Sequence, residues 1–531
     1  MRTILPTSKI IQREEIRVHA PRSPVLLTLL LAGMLLACAV SSAYTQNPSE
    51  NNIQRTILQG IDELYNLQFD RSLDTFDSVI HREPASPAGY FFKGMVHFWI
   101  FNLNRDEEHL ASLEELFESA IERGEALLEK DGANAQATFY LGGAYGFRGL
   151  AYQRNGSLWN AIWDGRRGYA YLEETIELDS TLYDAHMGFG LFRYLVARVP
   201  SSYRWVLSLL GFSGDEEGGL NSLRLAAERG IYTRTEASFF LAQFLFFEEK
   251  TDEALTYFVP LLKRYPENSV FHLAYARWQL ELENPDGAKA SVEKAIEINT
   301  RKDIRYGDEL AYTMRYRIAF GENDFGKAKE SILAAIEKSE NKNNIANWMY
   351  YYLGLCYEFL AKRDSALVAY AEVQHVDDED RAYETYASRM ARERLRRPLS
   401  APERSNIRAG NLSSRRQYEQ AREGHAAVLQ MKESTVDDRA EALYGLMRLH
   451  YETEEDQEVI RLSQEIFALV PAREHWLIPH AYWKVGQAYA RLGKVAEARR
   501  ALEKVDDYDD YDFQGRLERR VERELRRLGE S

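Results

Sequence analysis

The sequence predicts an all-α chain of stacked helical hairpins, an α-solenoid rather than a body around one compact core. Three observations carry that prediction. The chain has 531 residues, too many for a single ordinary core, so it forms several domains or an elongated array. Glycine and proline are sparse, at 32 and 14, while Leu, Ala, Glu, Arg and Tyr dominate, a balance that favours helix over sheet. From residue 53 onward, small and large apolar residues recur at a spacing of 34, the length of one two-helix unit.

The first 43 residues stand apart from this pattern. Residues 25–40 are an uncharged apolar run, preceded by Arg17 and Arg22 and followed by Ser41, Ser42 and Ala43. That order of charged, apolar and small residues is the order of a secretory signal, with cleavage after Ala43. Leu35-Leu36-Ala37-Cys38 resembles a bacterial lipobox, in which Cys38 is the residue lipidated. The 25–43 span is also long enough to stay as a membrane anchor. All three readings make the protein an exported one of a bacterial periplasm, outer membrane or secreted space, with membrane association through this segment in two of them. Residues 44–52 read as a polar linker.

The repeat is clearest from Asn347, through Tyr350, Leu353, Gly354, Tyr357, Ala366, Tyr370 and Val373. A second copy starts at Pro479, with Tyr482, Val485, Gly486, Tyr489, Ala498, Leu502 and Val505. Earlier copies are more partial: Gly60, Phe76 and Pro84 in one, Ala254, Phe258, Leu261 and Pro266 in another. These offsets resemble those of the tetratricopeptide repeat. Small residues at the eighth and twentieth positions let two antiparallel helices approach, and large residues fill the gaps between them. A proline near the end stops the second helix. One hairpin cannot bury its apolar faces alone, so neighbours must stack to complete the core.

On this register, residues 53–234 form a divergent repeat region with insertions, and 235–378 hold regular repeats. Residues 379–415 read as a break: Arg389–Arg397 is strongly basic, then Pro398, Pro402 and Gly410 interrupt any helix. Residues 416–531 hold further repeats and close on a charged capping helix, Arg516–Leu528. The whole implies ten to twelve hairpins, roughly, by the repeat length.

One stretch departs from plain repeats: Gly188-Phe-Gly-Leu-Phe-Arg-Tyr-Leu-Val-Ala-Arg-Val-Pro200, then Gly211-Phe-Ser-Gly-Asp215 and Gly218-Gly219. It resembles the inclusion-body-clearance family of tetratricopeptide proteins, which includes the tetratricopeptide repeat protein thirty-nine group, over roughly residues 57–300. The resemblance implies a superhelix and a role in protein interaction or membrane-associated homeostasis, and carries over no catalytic residue. The export segment departs from that family.

No chemistry stands out. Gly211–Asp215 lacks the Lys-Ser/Thr pair of a phosphate loop and reads as a tight helix–helix corner, with Asp215 capping the next helix. Val199–Leu210, centred on Trp205, reads as an apolar stretch inserted into the interior. The acidic run Asp506–Asp512 lacks the glycine and terminal glutamate of a calcium loop. His475 and His480 fall on different helix faces, and Cys356 reads as a small core residue. With 67 basic against 82 acidic residues the net charge is −15, which argues against nucleic acid as a partner. The reading is therefore a non-enzymatic scaffold without cofactor or metal, binding other proteins in a groove lined by first helices. Asn347, Tyr351, Glu358, Lys484, Gln487 and Arg491 are its candidate groove residues. A superhelix closed around a lipid or other small molecule is the alternative.

Overall fold

The computed structural model describes residues 48–104, 106–199, 214–339, 345–376, 381–473 and 475–530. The signal or anchor segment, Cys38 and the stretch 200–213 with Trp205 lie outside them. The described residues form 24 α-helices and no strand, in antiparallel pairs, which is the predicted all-α solenoid of tetratricopeptide-type hairpins. By internal contacts the chain divides into two compact units, Met1–Phe271 with Ile304–Tyr306, and His272–Asp303 with Gly307–Ser531.

In the first unit the helices are α1 (Pro48–Tyr65), α2 (Phe69–Arg82), α3 (Pro87–Asn104), α4 (Glu107–Lys130), α5 (Ala135–Arg154) and α6 (Leu158–Leu178). They continue with α7 (Ala185–Ala197), α8 (Glu216–Arg229), α9 (Arg234–Phe247), α10 (Thr251–Arg264) and the start of α11 (Ser269–Glu281). The second unit holds α12 (Pro285–Lys302), α13 (Asp308–Gly321), α14 (Phe325–Lys338), α15 (Asn347–Phe359), α16 (Arg363–Ala371), α17 (Ala382–Arg396) and α18 (Ala401–Ser414). Then come α19 (Tyr418–Gln430), α20 (Val436–Glu452), α21 (Asp456–Phe467), α22 (Leu477–Arg491), α23 (Val495–Glu503) and α24 (Gln514–Glu530).

The repeat positions behave as their spacing requires. A Cβ on Gly60 would lie 2.6 Å from the Phe76 ring, and one on Gly486 2.7 Å from Leu502. Gly354 sits directly against the Tyr370 ring in the same way. Each pair joins the glycine of a first helix to the large residue of its second helix, and Phe76, Tyr370 and Leu502 are all buried. Ala254, Ala366 and Ala498 are fully buried at the matching small position of the second helix. Removing this much apolar surface from water is the main stabilising term, at about 25 cal/mol per Å².

The corner before α8 forms as expected where it is described. Asp215 caps α8 by accepting from the Gly218 amide at 2.9 Å, and its other oxygen accepts from Arg193 at 2.6 Å. Cys356 is fully buried in an apolar cluster with Leu353, Ala366 and Tyr370, and burial pushes its thiol up to about 12. It is a core residue, not a nucleophile.

Residues 381–414, expected as part of a break, are instead a folded hairpin, α17 and α18. Pro398 lies just past the C-cap of α17, where no helical amide is lost, and Pro402 occupies the first turn of α18. Ser400 and Glu403 form a reciprocal capping box between them. The basic run is consumed internally: Glu403 accepts from Arg394 at 2.8 and 3.0 Å, from Arg397 at 2.7 Å and from Arg473 at 2.9 Å. The two prolines thus mark helix ends within one continuous stack.

Candidate functional site

The first unit fills its own interior. Its opening hairpin packs against residues some two hundred positions later. Tyr65 on α1 lies against the rings of Trp99, Tyr265 and Phe271, at centroid distances of 6.1, 5.5 and 6.3 Å. Asp62 accepts from Arg264 at 2.9 Å and from the Tyr265 hydroxyl at 2.8 Å, and the Asn268 amide donates to the Tyr65 carbonyl at 2.9 Å. At the centre sits Glu236, 5% exposed, accepting from the Trp99 indole at 3.3 Å. Burial pushes its carboxyl up to about 7, against the opposing hydrogen bonds of Tyr65 and Trp99. A cavity of about 210 Å³ remains beside this contact, lined by Leu58, Ile61, Asp62, Tyr232, Arg264 and Tyr265 among others.

In the second unit the first helices α20, α22 and α24 lie side by side in contact. Their shared face carries Arg448 from α20, His480 and Lys484 from α22, and Arg516, Arg520 and Arg523 from α24. Arg448 and Arg523 are exposed, and Arg516 and Arg520 are half-buried. Lys484 is only 9% exposed; its ammonium stands 3.7 Å over the Tyr451 ring and 4.6 Å from that of Trp483. The Arg520 guanidinium lies 5.1 Å from the Trp483 ring, and that of Arg516 lies 4.4 Å from Tyr383. Such stacking holds cations against aromatic faces without neutralising them.

The crowding of positive charge shows in the titration of these groups. Burial, reinforced by Arg448, Arg491 and Arg520, pushes Lys484 down to about 7 against the pull of Glu452. Burial together with Arg520, Lys484 and Arg448 pushes His480 down to about 3. The Arg520 guanidinium is lowered by burial and by Arg523 and Arg516.

Four of the six predicted groove residues are buried, and three of them, Asn347, Tyr351 and Glu358, hold the fold together. Asn347 exchanges two hydrogen bonds with the Gln374 backbone, at 2.8 and 2.9 Å. Tyr351 packs among Tyr352, Tyr370 and Tyr386. Glu358, 2% exposed, pairs with Arg363 and Arg404. Lys484 belongs to the basic face, though buried. Gln487 donates to Glu524 at 3.1 Å, and Arg491 pairs with Asp456 while lying 3.9 Å over Tyr451. Neighbouring first helices cover the positions a single hairpin leaves free, so only Lys484, Gln487 and Arg491 belong to the face just described.

The sequence carried a signal for that face in a different register. Tyr444, His480 and Arg516 recur every 36 residues, as do Arg448, Lys484 and Arg520, and Tyr451, Gln487 and Arg523. Three consecutive first helices therefore place equivalent residues in rows.

Among the described residues no group of three or more metal-ligating side chains occurs, and no helix is long and apolar enough to cross a membrane. His97 and His109 meet with their Nδ1 atoms 2.8 Å apart.

Comparison with known proteins agrees with the repeat architecture. The family model of Iml2/Tetratricopeptide repeat protein 39 matches residues 178–394, a span that holds the 188–219 motif but starts and ends further along the chain than the 57–300 expected. A tetratricopeptide repeat model matches 480–510. Comparison with curated proteins finds no match. Among solved structures, the yeast Tom70 is 14% identical, covering 89% of this chain and 95% of that one at a TM-score of 0.21. The human IFIT1 dimer with m7Gppp-AAAA is 13% identical, covering 85% and 94% at 0.30. The C-terminal part of a TPR repeat-containing protein from Cytophaga hutchinsonii is 16% identical, covering 53% and 95% at 0.26. The fold is thus an all-α solenoid of tetratricopeptide-type hairpins, with residues 178–394 similar to the Iml2/Tetratricopeptide repeat protein 39 model and 480–510 to the tetratricopeptide repeat.

Proposed function

We propose that this protein is a non-catalytic scaffold of the cell envelope or secreted space, which holds segments of partner proteins on the first-helix face of its second unit. The observation that carries the reading is the contrast between the two units. The first fills its interior with its own side chains. The second leaves a row of exposed and half-buried side chains on three adjacent first helices. Stacked first helices offer an extended binding face without any dedicated pocket, and this is how repeat proteins engage partners. The export part of the proposal rests on the apolar run at 25–40 with its flanking arginines and small residues.

The test is crosslinking in the native cell followed by affinity purification and mass spectrometry of proteins and lipids together, with the envelope fractionated beforehand. A reproducible protein crosslinked to α20, α22 or α24, in the envelope or secreted fraction, supports the reading. A stoichiometric bound lipid with no protein partner overturns it in favour of a carrier. Recovery in the cytosolic fraction overturns the envelope assignment.

A further inference from the structure

The chain as a whole is strongly acidic, at −15, yet the face of α20, α22 and α24 is locally basic. Arg448, Lys484, Arg516, Arg520 and Arg523 form no ion pair among the described residues, nor does Arg519 on α24, whereas Arg526 pairs with Glu522 and Arg527 with Glu524. The carboxylates nearby are largely engaged. Glu524 also accepts from Gln487 at 3.1 Å, Glu518 from Gln514 at 2.8 Å, and Asp456 from Arg491 at 2.9 Å. Glu452 acts on Lys484 with opposite sign, against three arginines. Two buried ring nitrogens on the same helix, Trp483 Nε1 and His480 Nε2, have no hydrogen-bond partner among the described residues. Elsewhere the protein pairs its buried cations: Arg148 with Asp164 at 2.6 Å and Arg394 with Glu403 at 2.8 Å.

We infer that this face is a docking site for an acidic, carboxylate-rich segment of a polypeptide. The inference rests on the scaffold reading and adds the chemistry of the partner. Charge complementarity selects it: clustered cations without counter-charges lower their mutual repulsion by taking up carboxylates, and such pairing steers encounter as well. The geometry sets a period. Arg448, Lys484 and Arg520 occupy equivalent positions 36 residues apart on adjacent first helices. Packed helix axes lie roughly 8–10 Å apart. A peptide in the polyproline-II conformation rises about 3.1 Å per residue with three residues per turn, so acidic side chains at every third position fall on one face and match successive cations. Exposed Tyr383, stacked on Arg516, offers an aromatic edge to the intervening residues.

The test uses the full chain and a fluorescein-labelled peptide, (Glu-Gly-Ser)4, read by fluorescence anisotropy at low and high salt. Controls are (Gln-Gly-Ser)4 and twelve-residue oligothymidylate. Binding of the glutamate peptide alone, weakening with salt, is expected. The double variant Arg448→Glu/Arg523→Glu alters two exposed positions and should lose at least tenfold in affinity. Arg71→Glu/Lys130→Glu, an equal change of charge at exposed positions of the first unit, should bind like the parent. If the first variant fails to fold, Arg448→Gln/Arg523→Gln replaces it, with a smaller loss expected. No binding of the glutamate peptide, equal loss in both double variants, or tighter binding of the oligothymidylate overturns the inference. A partner crosslinked to α20, α22 or α24, with no glutamate-peptide binding, would sink this inference and leave the scaffold reading intact.

Discussion

Glu236 gives the sharpest test of how the first unit closes. Its carboxyl is raised from 4.5 to about 7, chiefly by burial, so the ionised form is disfavoured in the folded state. At pH 8 the unfolded chain carries this carboxylate freely in water, while the folded chain must either desolvate it or hold a proton against the solvent. Each tenfold change in proton affinity corresponds to about 1.4 kcal/mol, so the penalty at pH 8 is on the order of 3 kcal/mol. The sign follows from linkage: the folded state binds the extra proton, so this group's contribution improves as pH falls from about 7 toward 4.5. Glu236→Gln removes the charge and keeps an oxygen to accept from Trp99. That hydrogen bond, weaker to a neutral acceptor, returns roughly 1 kcal/mol of loss. The variant is therefore expected to be more stable than the parent by about 2 kcal/mol at pH 8 and close to equal, or slightly less stable, at pH 5. The assay is urea unfolding at both pH values with hydrogen exchange read on α1 and α9, because a repeat array need not unfold in one step. A variant less stable at pH 8, or a difference independent of pH, would refute the argument that desolvation dominates at this carboxyl.

Three further outcomes follow from the same kind of reasoning. Glu403→Gln takes the shared carboxylate from Arg394, which is 3% exposed, and should destabilise α17 and α18 by about 3–5 kcal/mol. Hydrogen exchange on 382–414 reads it; since the guanidiniums beside Glu403 hold its carboxyl well below the usual range, the parent's advantage should fade as pH drops below about 4.3. Gly354→Ala drives a methyl into the buried Tyr370 ring and should cost about 1–3 kcal/mol, measured by the urea midpoint. His97, pushed down to about 4 by burial, His109 and Lys93, must stay neutral while the unfolded residue protonates. Stability of the α3–α4 hairpin should therefore fall as pH drops from about 6.5 toward 4, and His97→Gln should flatten that dependence in hydrogen exchange.

The hairpins were legible because their determinants are local. Gly60 with Phe76 and Gly354 with Tyr370 are sixteen residues apart, and one small residue facing one large one fixes how the two helices approach. The cap at Asp215 and the buried Cys356 were legible for the same reason. The meeting of Tyr65 with Tyr265 was not, since a pairing across two hundred residues depends on the accumulated rotation of every intervening hairpin. Residues 379–415 misled because prolines and a basic run read alike at a helix boundary and in a linker; what separates them is Glu403, whose partners come from three places in the chain. Asn347, Tyr351 and Glu358 are buried because a free position on one hairpin is covered by the next. The row of cations escaped a 34-residue register because the last block steps by 36.

The basic face is hard to explain by stability. Gathering Lys484 with Arg448, Arg491 and Arg520 costs free energy that an apolar residue at 484 would avoid, and sites that break the rules of burial and charge are where function is expected. Lys484→Met makes the conflict measurable. The lysine is lowered from 10.5 to about 7, so below pH 7 the folded chain carries a buried charge that the unfolded chain solvates freely. The cost is present in full at acidic pH and fades as pH rises from about 7 toward 10.5. Methionine removes it, losing the ring contact with Tyr451 and the 3.2 Å bond to Gln487, together worth about 1–2 kcal/mol. The variant should gain a few kcal/mol at pH 6, gain less or lose at pH 9, and bind the glutamate peptide more weakly at pH 6, with the difference shrinking at pH 9, where the parent's lysine is neutral. Greater stability with weaker binding would mean the cation is kept for its ligand. A variant that is less stable at pH 6 would mean that Tyr451 and Gln487 hold Lys484 for the fold, and that the row of cations has a structural cause.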